Sequence, residues 1–438
     1  MQNDNQQSAE GAATRVISVL QNYRPDLRCY EEIYKKLHQR AELSCLEKET
    51  AEVVAEHLKA LNFSVHEGIG GHGLVGIFEN GPGRTVMLRS ELDALPVLED
   101  TGLPYASTRR MIGTDGVEKP VMHACGHDMH IASLLAAARL LEASKANWKG
   151  RLLVLFQPNE ERGGGARAMV DDGLYNKYEI PKPDVLLGQH VVNAKAGSFQ
   201  LGTGYALAGK RTFRVIIYGR GGHVSDPQFC VDPVVIACFI VIRLQTVVSR
   251  EVDPNKTLVI TCGSVKAGDA PNIIPDNAEV LVDIRAYDSD LLDHAVDAVK
   301  RIVLAECTAS ATMKMPEIFE VEHVPPMVNG EEAMGPLKRQ FKRVFGEDAV
   351  QNLAPNMASD DFSILAPEGV PFAYWTLGST DPDVWDHHER EGTLDELPVN
   401  HGSDFAPAIE PTLRAAVDAW STAALTFLDT DSHLSWDM

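Results

Sequence analysis

The chain has 438 residues, enough for about two domains, and 44% of them are hydrophobic, which suffices for a large core. Its formal charge of −22 argues against nucleic acid and anionic membrane surfaces as partners. We see no apolar run of the roughly 18 residues that span a membrane, so no membrane partner is expected.

The cysteine content and the N-terminus bear on the cellular compartment. Seven cysteines, an odd number, are scattered along the chain. This pattern favours free thiols in a reducing compartment over a disulfide framework, so we predict a cytoplasmic location. The first fifteen residues are polar and lack the apolar core of a secretory signal. We expect them to form a frayed tail.

Hydrophobic periodicity in the first half of the chain indicates an α/β domain. Apolar residues spaced by three and four predict helices between residues 26 and 61. Strands and helices then alternate, with strands predicted at 84–90, 151–157 and 184–190 and helices at 130–144 and 163–173. Near-continuous apolar strands that alternate with helices indicate a mostly parallel sheet with helices on both faces.

The pattern changes near Ala206, where the predicted order becomes β-α-β-β-α-β, as in ferredoxin-like domains. We therefore predict an inserted lid or dimerisation domain at 206–322, between two parts of a catalytic metal-binding domain at 1–205 and 323–438. In the insert, the helix at 232–245 is apolar nearly all round. Such a helix is expected to be sandwiched within the fold or buried against another subunit.

Side chains that can bind metal stand at the ends of the predicted strands. The candidates are Asp93, Cys125, His127, Glu160, Glu161 and His190. Taken singly, a free cysteine is usually a small buried apolar side chain, and a histidine at a strand end usually belongs to the core. In open parallel sheets, however, the functional crevice lies beyond the carboxyl ends of the strands. Their convergence at one edge therefore predicts a metal site.

The spacing of these residues refines the hypothesis. Cys125 and His127 are two residues apart, so in an extended segment both project to one side. Glu160 and Glu161 are adjacent, so in an extended loop they point apart, one towards metal and the other towards water or substrate. A thiolate, imidazoles and a carboxylate suit zinc or a similar ion better than calcium or magnesium, which prefer oxygen ligands.

Several motifs together resemble the two-metal aminoacylase/carboxypeptidase family of metallopeptidases. They include "MHACGHDMH", "FQPNEERGGGARAMVDDGL", "GRGGHVSDP", "GDAPNIIPDNAEVLVDIR" and "ASDDFSILAP". The resemblance runs from about residue 37 to the C-terminal helix. It is closest to the amidohydrolase branch of hippurate hydrolases, N-acyl-L-amino-acid amidohydrolases and indole-acetyl-amino-acid hydrolases. It implies a homodimer with two divalent ions per subunit, zinc in the first place and manganese or cobalt as alternatives.

The resemblance also implies a role for each matching residue. Glu160 matches the general base, and Asp93 matches the acidic residue that orients the metal-site chemistry. The implied metal ligands are Cys125, His127, Glu161, His190 and His401. The implied substrate-binding residues are His223, Asn272 and Arg285, all in the insert. The chain departs from the family at Gln228, where a histidine is usual.

The leading hypothesis is a metal-dependent amidohydrolase that cleaves the amide bond of N-acyl amino acids. A dipeptidase or carboxypeptidase with the same chemistry is the alternative, and a catalytically silent ligand-binding relative is less favoured. The glycines of "GGGARAM" do not form G-x-G-x-x-G directly after a strand, which argues against a nicotinamide enzyme. A cysteine hydrolase is disfavoured because a thiolate bound to metal is occupied as a ligand.

Overall fold

A computed structural model describes residues 2–428 of the chain. The α-helices within that range are α1 (Gln2–Tyr23), α2 (Arg28–Gln39), α3 (Lys48–Ala60), α4 (His127–Ala143), α5 (Gly165–Asp171), α6 (Pro233–Arg250), α7 (Ser289–Ala309), α8 (Glu331–Phe345), α9 (Pro382–Glu391) and α10 (Ile409–Phe427).

The strands in chain order are β1 (Ser64–Ile69), β2 (Gly73–Asn80), β3 (Thr85–Glu91), β4 (Arg110–Ile112), β5 (Glu118–Pro120), β6 (Gly150–Gln157), β7 (Val185–Lys195), β8 (Phe199–Gln200), β9 (Gly204–Leu207), β10 (Gly209–Tyr218), β11 (Gly222–His223), β12 (Leu258–Lys266), β13 (Ile273–Ile274), β14 (Asn277–Ala286), β15 (Glu317–Val324), β16 (Met327–Asn329), β17 (Val350–Gln351) and β18 (Phe372–Thr380).

The chain divides into two compact units. Unit 2 comprises residues 207–328 together with the short segment 355–360, and unit 1 comprises the remaining described residues. The insert predicted from the sequence, 206–322, corresponds to the first part of unit 2, which extends to residue 328. Unit 2 also includes residues 355–360, which were not predicted to belong to it.

Unit 1 is built on an eight-stranded sheet of order β1-β2-β6-β3-β7-β18-β8-β17. Its central strands β6, β3, β7 and β18 run parallel. Towards the edges, β2 is antiparallel to β6 and β1, β8 is antiparallel to β18, and β17 is parallel to β8. Every residue of β3 is buried, and α4 is buried along nearly its whole length. The predicted α/β class with a mostly parallel sheet is confirmed. The parallel centre brings the carboxyl ends of β3, β6 and β7 to one edge.

Unit 2 has a four-stranded antiparallel sheet of order β12-β14-β10-β15. In chain order its main elements are β10, α6, β12, β14, α7 and β15, which is the predicted ferredoxin-like order. The two helices pack on the sheet through a separate core that includes Ile240, Leu244 and Val299.

Two expectations from the sequence were wrong. The expected tail is helical from Gln2 onwards, and α1 buries Val16 and Val19 in the core of unit 1. In addition, α6 is by length and composition long and apolar enough to cross a membrane, and it is the only such helix in the described part of the chain. One face of α6 packs into the core of unit 2, and the opposite face exposes further apolar side chains. The helix is therefore apolar on both faces.

Candidate metal centre

A left-handed glycine brings Cys125 and His127 together. Cys125 ends the loop before α4, and His127 is the first residue of that helix. Gly126 between them has φ +78°, and a Cβ at this position would lie 2.5 Å from Val191 Cγ2. The turn places ligand atoms of Cys125, His127 and His190 within 4.8 Å of one another. The two side chains therefore share a site because of this turn, and the expected extended segment was wrong.

The imidazole of His127 is held in one orientation. Its Nδ1–H donates to the carbonyl oxygen of Asp93 at 2.8 Å. The opposite nitrogen, Nε2, is buried and has no hydrogen-bond partner among residues 2–428. The carboxylate of Asp93 accepts, on Oδ2, the Ser44 hydroxyl at 2.7 Å and the backbone N–H of Glu161 at 3.0 Å. Asp93 thus fixes both an imidazole and the loop that carries the glutamates.

Glu160 and Glu161 approach the same imidazole. Glu160 Oε2 is 3.9 Å and Glu161 Oε1 is 3.8 Å from His127 Nε2. The two glutamates lie in a tight turn after β6, whereas an extended loop was expected. The turn folds back so closely that a Cβ on Gly165 would lie 1.6 Å from the carbonyl oxygen of Pro158. The expectation that the two carboxylates point apart was wrong.

Two histidines from distant parts of unit 1 face the Cys125 sulfur. His190 donates from Nδ1 to the carbonyl oxygen of Val191 at 2.7 Å, which leaves its Nε2 lone pair 3.5 Å from Cys125 Sγ. His401 Nε2 is 3.2 Å from the same sulfur and 3.4 Å from Glu161 Oε2. His401 has φ +71°, an uncommon conformation for a non-glycine residue that is often found at functional sites.

Several groups of side chains lie close enough to hold an ion, and two of these groups share Cys125. One contains Cys125, His127 and His190, and the other contains Cys125, Glu161 and His401. Within each group all the ligand atoms lie within 4.8 Å of one another. Cys125 belongs to both groups, so its thiolate would be within reach of an ion held by either one.

The electrostatics of the cluster favour a cation. Burial, followed by the charges of Glu161 and Glu160, raises the pKa of Cys125 well above its ordinary value. Burial likewise raises the pKa of Glu161 to about 7. Burial lowers the pKa of His127, but the Asp93 carboxylate, whose Oδ1 is 3.6 Å from Nδ1, and the charges of Glu91 and Glu161 outweigh it and raise that pKa to about 10. The protein thus concentrates negative charge here, which a proton or a metal ion can neutralise.

His130 is excluded as a ligand although it lies beside the cluster. Its Nδ1–H donates to Glu91 Oε2 at 2.8 Å, and its Nε2 accepts the backbone N–H of Val191 at 2.9 Å. Both ring nitrogens are therefore engaged. Its carboxylate partner is in turn paired with the buried guanidinium of Arg89.

Sequence reasoning missed three residues that contact the centre. The Asn400 amide donates to the carbonyl oxygen of Val191 at 3.1 Å and lies 3.8 Å from Cys125 Sγ. Ser44 contacts Asp93, and Glu47 contacts the backbone before Glu160. No local pattern marks these residues, because each contact joins segments far apart in the chain. Ser44 and Glu47 lie in the part of the chain that the resemblance covers, but no role was predicted for them.

The expected substrate residues lie in unit 2. His223 on β11 and Asn272 just before β13 are exposed, and they are neighbours because these two strands pair. Arg285 lies near the carboxyl end of β14, whereas β13 precedes its amino end. The Arg285 guanidinium donates to Asp283 Oδ1 and to the carbonyl oxygen of Met357, each at 2.8 Å. The structure thus brings His223 and Asn272 together and gives Arg285 separate partners.

Comparison with known proteins decides the family. The sequence profile of peptidase family M20/M25/M40 matches residues 87–399. The chain belongs to this family. It is 36% identical to the hippurate hydrolase of Campylobacter jejuni over 384 residues, which is 86% of this chain and 94% of that protein. It is 32% identical to the N-acetyl-L-cysteine deacetylase of Bacillus subtilis over 378 residues, 85% of each chain.

Other M20 relatives include a thermostable carboxypeptidase of Saccharolobus solfataricus, 33% identical over 90% of this chain and 94% of that protein. Among solved structures, the Bacillus subtilis YXEP protein, a dinuclear metal-binding peptidase of the M20 family, shares the fold with a TM-score of 0.68. Its sequence is 22% identical, and the match covers 92% of this chain and 98% of that chain. The predicted amidohydrolase branch and the predicted hydrolysis of linear amide bonds are confirmed.

Proposed function

We propose that this M20 protein hydrolyses the amide bond of N-acyl amino acids with two divalent ions bound in unit 1. The observation that carries the proposal is the pair of ligand groups that share Cys125. His127 and His190 complete one group, and Glu161 and His401 complete the other. The Bacillus subtilis YXEP protein is a dinuclear metal-binding peptidase, which supports the proposal of two ions here.

The residues present fit such ions. Buried polar atoms nearly always have a partner, yet within the described chain Asp93 Oδ1, His127 Nε2 and Glu161 Oε1 have no hydrogen bond. All three belong to side chains of this cluster. A donor set of thiolate, imidazole and carboxylate suits zinc best, and manganese or cobalt are the alternatives that we propose.

When bound, the ions supply a water of lowered pKa and polarise the acyl carbonyl. Glu160 would accept a proton from the water that attacks the carbonyl carbon, and would later donate that proton to the departing amine. The C–N bond breaks as the new C–O bond is kept, so an acid and a free amino acid result. Asp93 holds His127 so that Nε2, rather than Nδ1, faces the centre.

A hydrolysis screen tests the substrate class. The named relatives include a hippurate hydrolase and a deacetylase, which favour N-acyl amino acids, and carboxypeptidases, which favour peptides. We expect N-benzoyl, N-acetyl or N-indoleacetyl amino acids to be cleaved with a higher kcat/KM than matched dipeptides that have the same C-terminal residue. A higher kcat/KM for the dipeptides would contradict the proposal and support the peptidase alternative.

We also propose that the protein is a homodimer that assembles through unit 2. The outer stripe of α6 exposes Val235, Phe239 and Ile242, of which Ile242 is 65% exposed. These residues are spaced by four and three, so they lie on one face of the helix. Strand β12 is an unpaired edge of the sheet and exposes Val259 and Val265. An apolar helix face beside an open strand edge is a surface that a second copy can cover.

The assembly proposal has a direct test. Light scattering at micromolar concentration should give twice the chain mass, and Ile242→Glu should shift the protein towards monomer. Leu304→Glu, which alters an exposed leucine of α7, is the matched control and should leave the mass unchanged. A monomeric parent protein, or equal dissociation by both substitutions, would contradict the proposed interface.

Within the proposal, His223, Asn272 and Arg285 contact the substrate, as the resemblance implies. Mixing inactive His223→Ala with inactive Glu160→Gln subunits tests which centre His223 serves. Partial recovery of activity in mixed dimers is expected if His223 serves the partner's centre. Absence of recovery in proven mixed dimers would assign it to the centre of its own chain.

A further inference from the structure

The segment Glu42–Glu47 contacts two loops of the metal centre, and the reaction proposed above gives it no role. Ser44 Oγ donates to Asp93 Oδ2 at 2.7 Å. Glu47 Oε1 accepts the backbone N–H of Asn159, the residue before Glu160, at 2.8 Å. Glu47 is completely buried. Its Oε2 has no hydrogen-bond partner within residues 2–428, and an incompletely bound buried carboxyl group is costly, so its place here requires a reason.

These contacts anchor the chain on both sides of Glu160. On one side the backbone N–H of Asn159 donates to Glu47 Oε1. On the other side the amide of Glu161 is bound by Asp93 Oδ2, the oxygen that Ser44 also contacts. The backbone that carries both carboxylates of the glutamate pair therefore rests on two buried acidic side chains.

The residue that Glu47 binds is in a conformation that needs support. Asn159 has φ +54°, and Cys45 has φ +70°. The same oxygen, Glu47 Oε1, accepts the backbone N–H of both residues, that of Cys45 at 2.7 Å. Non-glycine residues persist in the left-handed region only when surrounding contacts hold them there. At Asn159 this conformation starts the turn from which Glu160 and Glu161 project.

We propose that Glu47 is a positioning residue for the glutamate pair, and that it sets the places of the Glu160 and Glu161 carboxylates through the left-handed turn at Asn159. The inference rests on the proposed function, in which Glu161 is a metal ligand and Glu160 is the base. Loss of the Glu47 contact should move Glu161 and weaken metal binding. It should also move Glu160 and lower kcat more than it changes KM.

Glu42 offers a matched control in the same segment. It is also buried, and its carboxylate accepts the backbone N–H groups of Glu49 and Thr50 and the Thr50 hydroxyl. These partners belong to the start of α3, and Glu42 Oε1 also lies 3.6 Å from the Arg109 guanidinium. None of these groups belongs to a residue of the metal centre. Glu42→Leu therefore removes a comparable set of buried hydrogen bonds away from the glutamate pair.

The experiment compares Glu47→Leu, Glu47→Gln and Glu42→Leu in the full chain. The affinity of the metal-free protein for Zn²⁺ is measured by calorimetric titration, alongside Tm, kcat and KM. We expect Glu47→Leu to lose about 10–100-fold in Zn²⁺ affinity, as is common for residues that orient metal ligands. Glu47→Gln keeps an acceptor oxygen and should restore most of the affinity. Glu42→Leu should lower Tm without changing the affinity.

Equal Zn²⁺ affinities for Glu47→Leu and Glu42→Leu would overturn the inference. If Glu47→Leu does not fold, Glu47→Asp replaces that variant, because the shorter side chain withdraws the carboxylate from the backbone N–H of Asn159. Unchanged Zn²⁺ affinity and kcat in Glu47→Asp would likewise overturn the inference. The titration needs no substrate, so it tests Glu47 even if N-acyl amino acids are not cleaved. Absence of Zn²⁺ binding by the parent protein would refute the proposed function and this inference with it.

Discussion

Replacing Glu160 by glutamine should lower kcat by about 10²–10⁴-fold while leaving the metal content unchanged. The glutamine has the same shape but cannot accept the proton of the attacking water. Glu160 Oε2 is 3.9 Å from His127 Nε2, so the carboxylate lies beside the proposed metal ligands and can reach a water held there. Steady-state kinetics and elemental analysis of the purified variant give the two measurements.

Glu161→Gln is the matched partner of that variant, because it makes the same chemical change one residue later. Glu161 Oε2 is 3.4 Å from His401 Nε2, and both residues belong to one of the two ligand groups. This variant should therefore lose bound metal. The reverse pattern, with metal lost from Glu160→Gln and retained in Glu161→Gln, would show that the two roles are exchanged.

Removal of divalent ions should abolish activity, and addition of Zn²⁺ should restore it. Elemental analysis should find up to two ions per chain in the active protein. The metal-free protein should bind Zn²⁺ more weakly as pH falls, because protons compete for the same side chains. The pKa of Cys125 lies well above its ordinary value and that of His127 is about 10, so both are protonated at neutral pH until an ion displaces their protons.

The pH window follows from Glu161, whose pKa is raised to about 7. Below pH 7 this carboxylate also holds a proton, so the fall in affinity should be steeper from pH 7 to 6 than from pH 8 to 7. Calorimetry in buffers of different ionisation enthalpy measures the protons released. Full activity after thorough chelation, or an affinity independent of pH, would contradict the metal-dependent reading.

The sequence by itself determined the sheet and the set of residues at its edge. Strand and helix periodicities are local properties, and parallel strands necessarily bring their carboxyl ends to one edge. The polar residues that follow β3 and β6 could therefore be assigned to one site from the sequence alone, whereas His190, which was predicted to end its strand, lies within β7. Local periodicity did not indicate that the first residues form α1, because a polar helix owes its stability to packing of one face.

Only the tertiary structure decided how these residues meet. The left-handed turns at Gly126 and Asn159 direct Cys125, His127 and the two glutamates, and periodicity does not encode such turns. Asn400 and His401 reach Cys125 from about 275 residues away. Ser44 and Glu47 support the centre through contacts that cross 49 and 112 residues. Contacts of this length depend on how the whole chain packs, so the hydrogen-bond geometry of the site exists only in the folded unit 1.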